Sequence, residues 1–264
     1  MTPILMLGAG RMGGALIDGW RAAGAFQASD LLIREPHANP TVAAAAQAGA
    51  LINPADEVLA RAKTVLLAVK PQIWREAAAE VAQHLAPDAV IVSIAAGVKS
   101  TDISKVFGGR SVARVMPTTA VAIGQGTTSI YAASPEARAR AHALFAPVGT
   151  VVDLADEDLL HAATGVSGSA PAYLYAFVEA LEAAGAAAGL PADDASRLAR
   201  STITGAAALL ARSGEEPAKL RKQVTSPGGT TQAALEVLLG QGGLPDLLRD
   251  AVAAAANRSK ELGG

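Results

Sequence analysis

Three glycines, Gly8, Gly10 and Gly13, stand at G-x-G-x-x-G spacing, behind the apolar run Ile4–Leu7 and ahead of a helical pattern over Arg11–Ala23. In that setting the first glycine allows a tight turn, the second lets backbone approach a pyrophosphate, and the third lets the helix pack close on the strand. The helix start adds unpaired N–H groups and a positive dipole end. Leu7, Gly8, Ala9, Gly10, Arg11, Met12 and Gly13 are therefore candidate contacts for a dinucleotide. At the end of the next strand pattern comes Ile33-Arg34-Glu35. Arg34 suits the 2′-phosphate of NADP through a charge-assisted pair, whereas Glu35 suits a ribose diol. NADPH is the preferred cofactor on this reading, with NADH as the alternative. Two further strand ends, Ala68-Val69-Lys70-Pro71 and Ala95-Ala96-Gly97, are expected to line the same crevice, because ligands sit beyond the carboxyl ends of parallel strands.

A second cluster lies far along the chain, at Gln223-Val224-Thr225-Ser226-Pro227-Gly228-Gly229-Thr230-Thr231. One helix pattern ends before Pro227 and another begins at Thr230 or Thr231. Two glycines at such a junction let backbone curl around a small anion, with the N-terminus of the next helix aimed at it. Hydrogen bonds to a charged group contribute roughly 1.5–3 kcal/mol each, enough for two or three to hold a carboxylate. The junction also reads as a plain helix–turn–helix with a threonine cap.

These residues need a scaffold, and the apolar pattern indicates which. Short Val/Ile/Leu runs at Ile4–Leu7, Leu31–Ile33, Thr64–Val69, Ala89–Ile94 and Val112–Met116 alternate with helical stretches, the signature of a parallel sheet covered on both faces. Gly126–Tyr131 and Thr150–Asp153 are further strand candidates, flanking a helix over Glu136–Phe145. After Asp153 no strand pattern remains. Helices are expected over 156–164, 172–188, 192–211, 231–239 and 244–262. This gives an α/β Rossmann-like dinucleotide-binding domain over residues 1–154, followed by an all-α dimerisation domain over 155–264. The helix at 172–188 is apolar nearly all round, which calls for burial, and a second subunit is the expected other wall.

The 264 residues carry a net charge of −2, with 51% hydrophobic and 17% charged residues. There is no basic footprint for nucleic acid, no basic run for a membrane surface, and no apolar run near the roughly 18 residues of a spanning helix. The absence of cysteine removes disulfides, thiolate zinc sites and Cys nucleophiles. His37, His84, His142 and His161 lack metal-ligand spacing, so no metal is expected; His161 reads as a surface or interface residue. Met1–Leu7 leads straight into a strand pattern, which argues against a signal peptide and for a cytoplasmic protein.

Taken together the motifs resemble those of the pyrroline-5-carboxylate reductase family. The resemblance spans nearly the whole chain and rests on Gly8–Gly13, Ala68–Pro71, Ala95–Gly97, Thr164-Gly165-Val166-Ser167-Gly168-Ser169 leading to Pro171-Ala172-Tyr173, and Val224–Thr231. It implies reduction of 1-pyrroline-5-carboxylate to L-proline by NADPH or NADH, in a homodimer whose helices interlock, with dimers assembling further into rings. It places the substrate carboxylate on the 226–231 loop, with Gln223, Ser226, Gly228, Gly229, Thr230 and Thr231 as substrate contacts. Thr231, beside the ring nitrogen, is the catalytic candidate, as a polar contact rather than an acid. The chain departs from the family pattern at Thr118 and Ala120, where Asn and Pro are usual, at Ala170 in place of glycine, and at Lys222 in place of an acid.

Imine chemistry also agrees with what the chain lacks. No lysine occurs between Lys105 and Lys219, so the long helix offers none to protonate a carbonyl oxygen. A cyclic imine brings its own proton. Two other readings share the motifs: an NADP-dependent reductase of another small imino or keto acid, and a non-catalytic dinucleotide-sensing dimer.

Overall fold

The computed structural model describes residues 1–263 and divides them into two compact units. The first is Met1–Gly168 together with the chain from Ala253 onward; the second is Ser169–Val252.

The first unit is built on one eight-stranded sheet. Its strands are β1 (Ile4–Leu7), β2 (Leu31–Arg34), β3 (Leu51–Ile52), β4 (Thr64–Leu67), β5 (Val90–Ser93), β6 (Val112–Pro117), β7 (Gly126–Ala132) and β8 (Gly149–Asp153). The order is β3-β2-β1-β4-β5-β6-β7-β8. Strand order reverses between β1 and β4, and in such sheets ligands bind outside the strand ends at that point. Leu7, Arg34 and Leu67 stand in register at that edge. The strands from β1 to β6 pair in parallel, as their apolar runs indicate, and β7 then runs antiparallel to β6. Only the eight residues 118–125 join them, too few for the dozen or more of a parallel crossover.

Alternation along each strand feeds two cores. Ile4 and Met6 of β1 face the cluster containing Leu16, Ile17 and Trp20 of α1 (Arg11–Ala23), Val42 and Ala45 of α2 (Pro40–Gln47), and Leu144 and Phe145 of α6 (Pro135–Phe145). Leu5 and Leu7 face the other cluster, with Leu59 of α3 (Asp56–Leu59), Trp74 and Val81 of α4 (Trp74–Ala82), and Ile103 of α5 (Ser100–Val106). A fully buried Leu or Ile contributes roughly 1.5–3 kcal/mol, so both faces anchor β1 and fix where its carboxyl end emerges. Helix α1 forms over the span read from the sequence and stops at Gly24, which takes the left-handed conformation at φ 61°. Trp20 locks it down, donating from Nε1 to the Leu144 carbonyl at 2.7 Å.

The last strand leads into α7 (Leu159–Ala163) and a π-helical turn, Thr164–Gly168. The second unit is helical: α8 (Ala170–Ala187), α9 (Ala192–Ser213), α10 (Pro217–Gln223), α11 (Thr230–Leu238) and the start of α12 (Leu244–Glu261). Helices α8 and α9 approach closely, since a Cβ on Gly185 would lie 3.2 Å from that of Ala195. They are cross-linked where Glu182 accepts from Arg200 Nε at 2.7 Å and Ser196 Oγ at 3.2 Å, and Arg200 holds the Glu182 carboxyl below its ordinary range. Yet α8 buries no residue within this chain: Leu174, Tyr175, Phe177 and Leu181 are all exposed. The expectation that this helix is buried is thus not met by its own fold.

The end of α12 rejoins the first unit. His161 is buried there, not at the surface, with Nδ1 3.0 Å from Ser259 Oγ. Beside it Glu157 accepts from the Ser100 amide at 2.6 Å, Ser100 Oγ at 3.0 Å and Arg114 at 3.0 Å. Gly97 sits against the chain end with φ 80°; a Cβ there would lie 2.6 Å from the Gly263 nitrogen and 2.8 Å from the Ser259 carbonyl oxygen.

Two predictions follow from this clasp. Gly97→Ala should destabilise the fold by roughly 1–3 kcal/mol, from left-handed strain plus overpacking; urea unfolding measures it, and an unchanged midpoint would contradict the packing. Burial first, then the charge of Arg114, hold the His161 pKa below its ordinary value. Stability contributed by neutral His161 should be complete above the unfolded-state value of about 6.5 and decline as pH falls from there toward the lowered folded value. Thermal melts between neutral and mildly acid pH should show that decline, and His161→Gln should flatten it.

Candidate active site

The glycine turn closes as its spacing requires. Gly8 continues the β1 ladders: its amide donates to the Arg34 carbonyl at 2.9 Å, and the Leu7 carbonyl accepts from Ala68 at 2.8 Å. Its φ is 90°, and a Cβ would sit 2.9 Å from both the Ala68 oxygen and Val69 Cγ1. A Cβ on Gly13 would lie 2.5 Å from the Gly8 carbonyl oxygen, so α1 packs on the strand end as only glycine allows. Gly10 differs from both: nothing lies within 4 Å of where its Cβ would be. Its backbone faces open space at the start of α1, the setting in which helix N-termini take up phosphate.

A crevice of about 750 Å³ opens beside this turn, within the usual range for cofactor sites. Leu7, Gly8, Gly10, Arg34, Ala68, Val69 and Lys70 line it, as read from the sequence. Ala9, Gly10 and Arg11 line a neighbouring hollow with Asn39 and Thr119. Met12, Gly13 and Pro71 line neither, and the part of Gly13 is in packing. Ala95, Ala96 and Gly97 also line neither; Ala95 donates to Ser93 Oγ at 3.2 Å, and Gly97 is covered by the chain end.

The acids and bases at the β2 end have unexpected partners. Glu35 turns back to the glycine loop, where Oε2 accepts from the Ala9 amide at 2.8 Å and Oε1 from the His37 amide at 2.9 Å. Arg34 donates to Asp56 at 2.5 Å, while its Nε is buried without a partner. Sequence reading missed two asparagines here. Asn39 caps α2 by accepting from Val42 at 2.9 Å and donates to the Ala9 carbonyl at 3.2 Å. Asn53, at φ 46°, exchanges hydrogen bonds of 2.9 and 3.0 Å with the Glu35 backbone. The Asn39-Pro40 pair was the available signal, since it marks a capped helix start. Thr118, where the family usually has Asn, accepts from the Thr127 amide at 3.0 Å and so closes the β6–β7 turn.

In the second unit the 223–231 junction has the expected helix–loop–helix form, but its glycine amides are engaged within the loop. Gly228, at φ 70°, donates to Gln232 Oε1 at 2.8 Å, and Gly229 donates to the Ser226 carbonyl at 3.0 Å. Ser226 sets the turn tightly, since a Cβ on Gly229 would meet its Oγ at 2.8 Å. Among the described residues, the amides and hydroxyls of Thr230 and Thr231 have no partner at the head of α11. Gln223 and Lys222 are exposed at the end of α10. Among the described residues no group of His, Asp and Glu could hold a metal ion.

Comparison with known proteins agrees with this division of labour. Residues 157–262 match the family model described as pyrroline-5-carboxylate reductase dimerisation, and residues 3–97 match the one described as NADP oxidoreductase, coenzyme F420-dependent. Pyrroline-5-carboxylate reductase of Pisum sativum is 38% identical over 261 residues, covering 97% of this chain and 94% of that protein. The solved pyrroline-5-carboxylate reductase of Coxiella burnetii superposes with a TM-score of 0.89 at 30% identity, covering 100% of this chain and 99% of that one. The Plasmodium falciparum pyrroline carboxylate reductase structure with NADP bound gives 0.85 at 25% identity, covering 100% and 98%. With a glycine turn at the sheet's switch point, a glycine loop between two later helices, and relatives matched along nearly their whole length, the chain belongs to the pyrroline-5-carboxylate reductase family.

Proposed function

We propose that this chain reduces 1-pyrroline-5-carboxylate to L-proline, the last step of proline biosynthesis, with NADPH as the preferred hydride donor and NADH as a second one. The observation that carries this is the glycine turn: Gly8 and Gly13 are sterically obligatory, and Gly10 is left open toward solvent at the head of α1. That cradle fits a pyrophosphate, and the partnerless Arg34 Nε beside it fits an additional anionic group.

The bound nicotinamide supplies hydride from its C4 position. The chain's own residues bind and orient. Amides at the start of α1, from Arg11 and Met12, hold the pyrophosphate; Ala68, Val69 and Lys70 border the crevice. At the head of α11 the unengaged amides of Thr230 and Thr231 hold the substrate carboxylate. The glycine amides of that loop act one step back: Gln232 and Ser226 fix the turn through Gly228 and Gly229. The Thr231 hydroxyl steadies the ring nitrogen. A ring nitrogen that arrives protonated would let a bound nicotinamide's hydride convert the C=N bond to a secondary amine, so no residue of the chain is needed as an acid. Catalysis is then mainly positioning, which calls for the reacting atoms about 3–3.5 Å apart.

The assembly belongs to the same reading. Helices α8, α10 and α11 bury no residue within the chain, while apolar side chains such as Tyr175, Val237 and Leu247 stand exposed. A homodimer through the helical domain, residues 155–264, covers them; dimers arranged in a ring, in the cytoplasm, complete the proposal. Among the described residues no helix is long and apolar enough to cross a membrane.

Purified protein given 1-pyrroline-5-carboxylate and NADPH should form L-proline in step with cofactor oxidation. Oxidation with a different imino or keto acid but not this one would favour the alternative reductase, and no oxidation with any would favour a sensing dimer. Thr231→Ala should lower kcat/KM by roughly 10- to 100-fold, the loss of one hydrogen bond to a charged group, with NADPH affinity unchanged. A wild-type rate would place the nitrogen contact elsewhere.

A further inference from the structure

The sequence sets Arg34, which favours NADPH, against Glu35, which favours NADH. We propose that Asp56 restrains Arg34 and thereby keeps the cofactor preference of this protein shallow. This rests on reading the crevice beside the glycine turn as the dinucleotide site.

Three observations carry it. First, Glu35 is withdrawn, with both carboxylate oxygens occupied by the Ala9 and His37 amides. Each oxygen keeps one further acceptor site, so a ribose diol must share the carboxylate with the glycine loop that it holds. Second, Arg34 lines the crevice at the register of Leu7, but its guanidinium is turned to Asp56 at 2.5 Å. The other Asp56 oxygen lies 3.5 Å from His84 Nε2, beyond the end of α4, a contact that pairs charges only when that imidazole is protonated. Third, Arg34 Nε is buried with no partner. The guanidinium has donor capacity left over in this arrangement, capacity that a phosphate fork could take up.

The consequences are electrostatic. A 2′-phosphate drawn to Arg34 meets Asp56 as a like charge sharing the same cation. It must either displace the carboxylate or bind beside it. Asp56 is half exposed, so solvent screens the repulsion, and the penalty is a modest factor rather than exclusion. A ribose without phosphate does not contest the pair. Asp56 therefore selects against NADPH, while Arg34 selects for it.

Direct binding to the purified enzyme, by titration calorimetry with NADPH, NADH and 2′,5′-ADP, tests this without turnover. Asp56→Asn should tighten NADPH and 2′,5′-ADP by roughly 3- to 10-fold and leave NADH within twofold. The gain should shrink at high salt. Arg34→Ala should weaken NADPH and 2′,5′-ADP but not NADH. Equal tightening of both dinucleotides, or weaker NADPH binding to Asp56→Asn, would overturn the restraint and make Asp56 a support for Arg34. If NADH binds and Arg34→Ala changes no affinity, the phosphate lies elsewhere and the proposal falls alone. If neither dinucleotide binds the wild-type protein, the crevice reading falls with it.

Discussion

The backbone contact between Gly8 and Gly13 is the constraint on which the rest depends. Only when helix α1 comes down onto the end of β1 does its first turn stand at the switch point of the sheet, with unpaired amides facing out. A methyl group at either position would meet backbone at 2.9 Å or less, and backbone cannot give way as a side chain can. The two apolar cores set the other half of the geometry, since β1 is gripped on both faces and cannot shift its register. Glu35 and Asn39 then hold the loop from outside through the amide and the carbonyl of Ala9. The anion site is thus a product of packing, and its chemistry is carried by backbone rather than by reactive side chains.

The helical unit obeys a different constraint. Its helix α8 is apolar nearly all round, yet a single chain leaves the unit largely uncovered, and among its described residues only Ala195 and Ala199 of α9 are buried. Ordinary surface leucines need no explanation, but whole helices without a buried face do. Association of chains supplies what intramolecular packing does not, and folding of this unit is expected to be coupled to assembly.

Much of this was legible in the sequence. Ile4–Leu7 and Arg11–Ala23 form over the spans their patterns gave, because continuous apolar runs and a glycine stop leave few alternatives. The crevice residues on the glycine turn and at Ala68–Lys70 were legible for the same reason: sheet topology alone places them. What escaped depended on long-range pairing. The antiparallel turn of β7 follows from a short connection rather than from strand composition. The partners of Arg34 and Glu35 come from Asp56, Ala9 and His37, and no spacing rule announces them. His161, which reads from sequence as a surface or interface residue, is buried because Ser259, nearly a hundred residues later, packs against it. Nor does any spacing rule announce that Gln232, one turn into the helix, folds back to accept from the Gly228 amide.

A crystal structure of the enzyme grown with NADPH and L-proline would test the central claim most directly. The account predicts the pyrophosphate on the Arg11 and Met12 amides at the head of α1, and the proline carboxylate on the Thr230 and Thr231 amides at the head of α11. Nucleotide density away from the glycine turn, or proline held by other residues in every subunit, would contradict it.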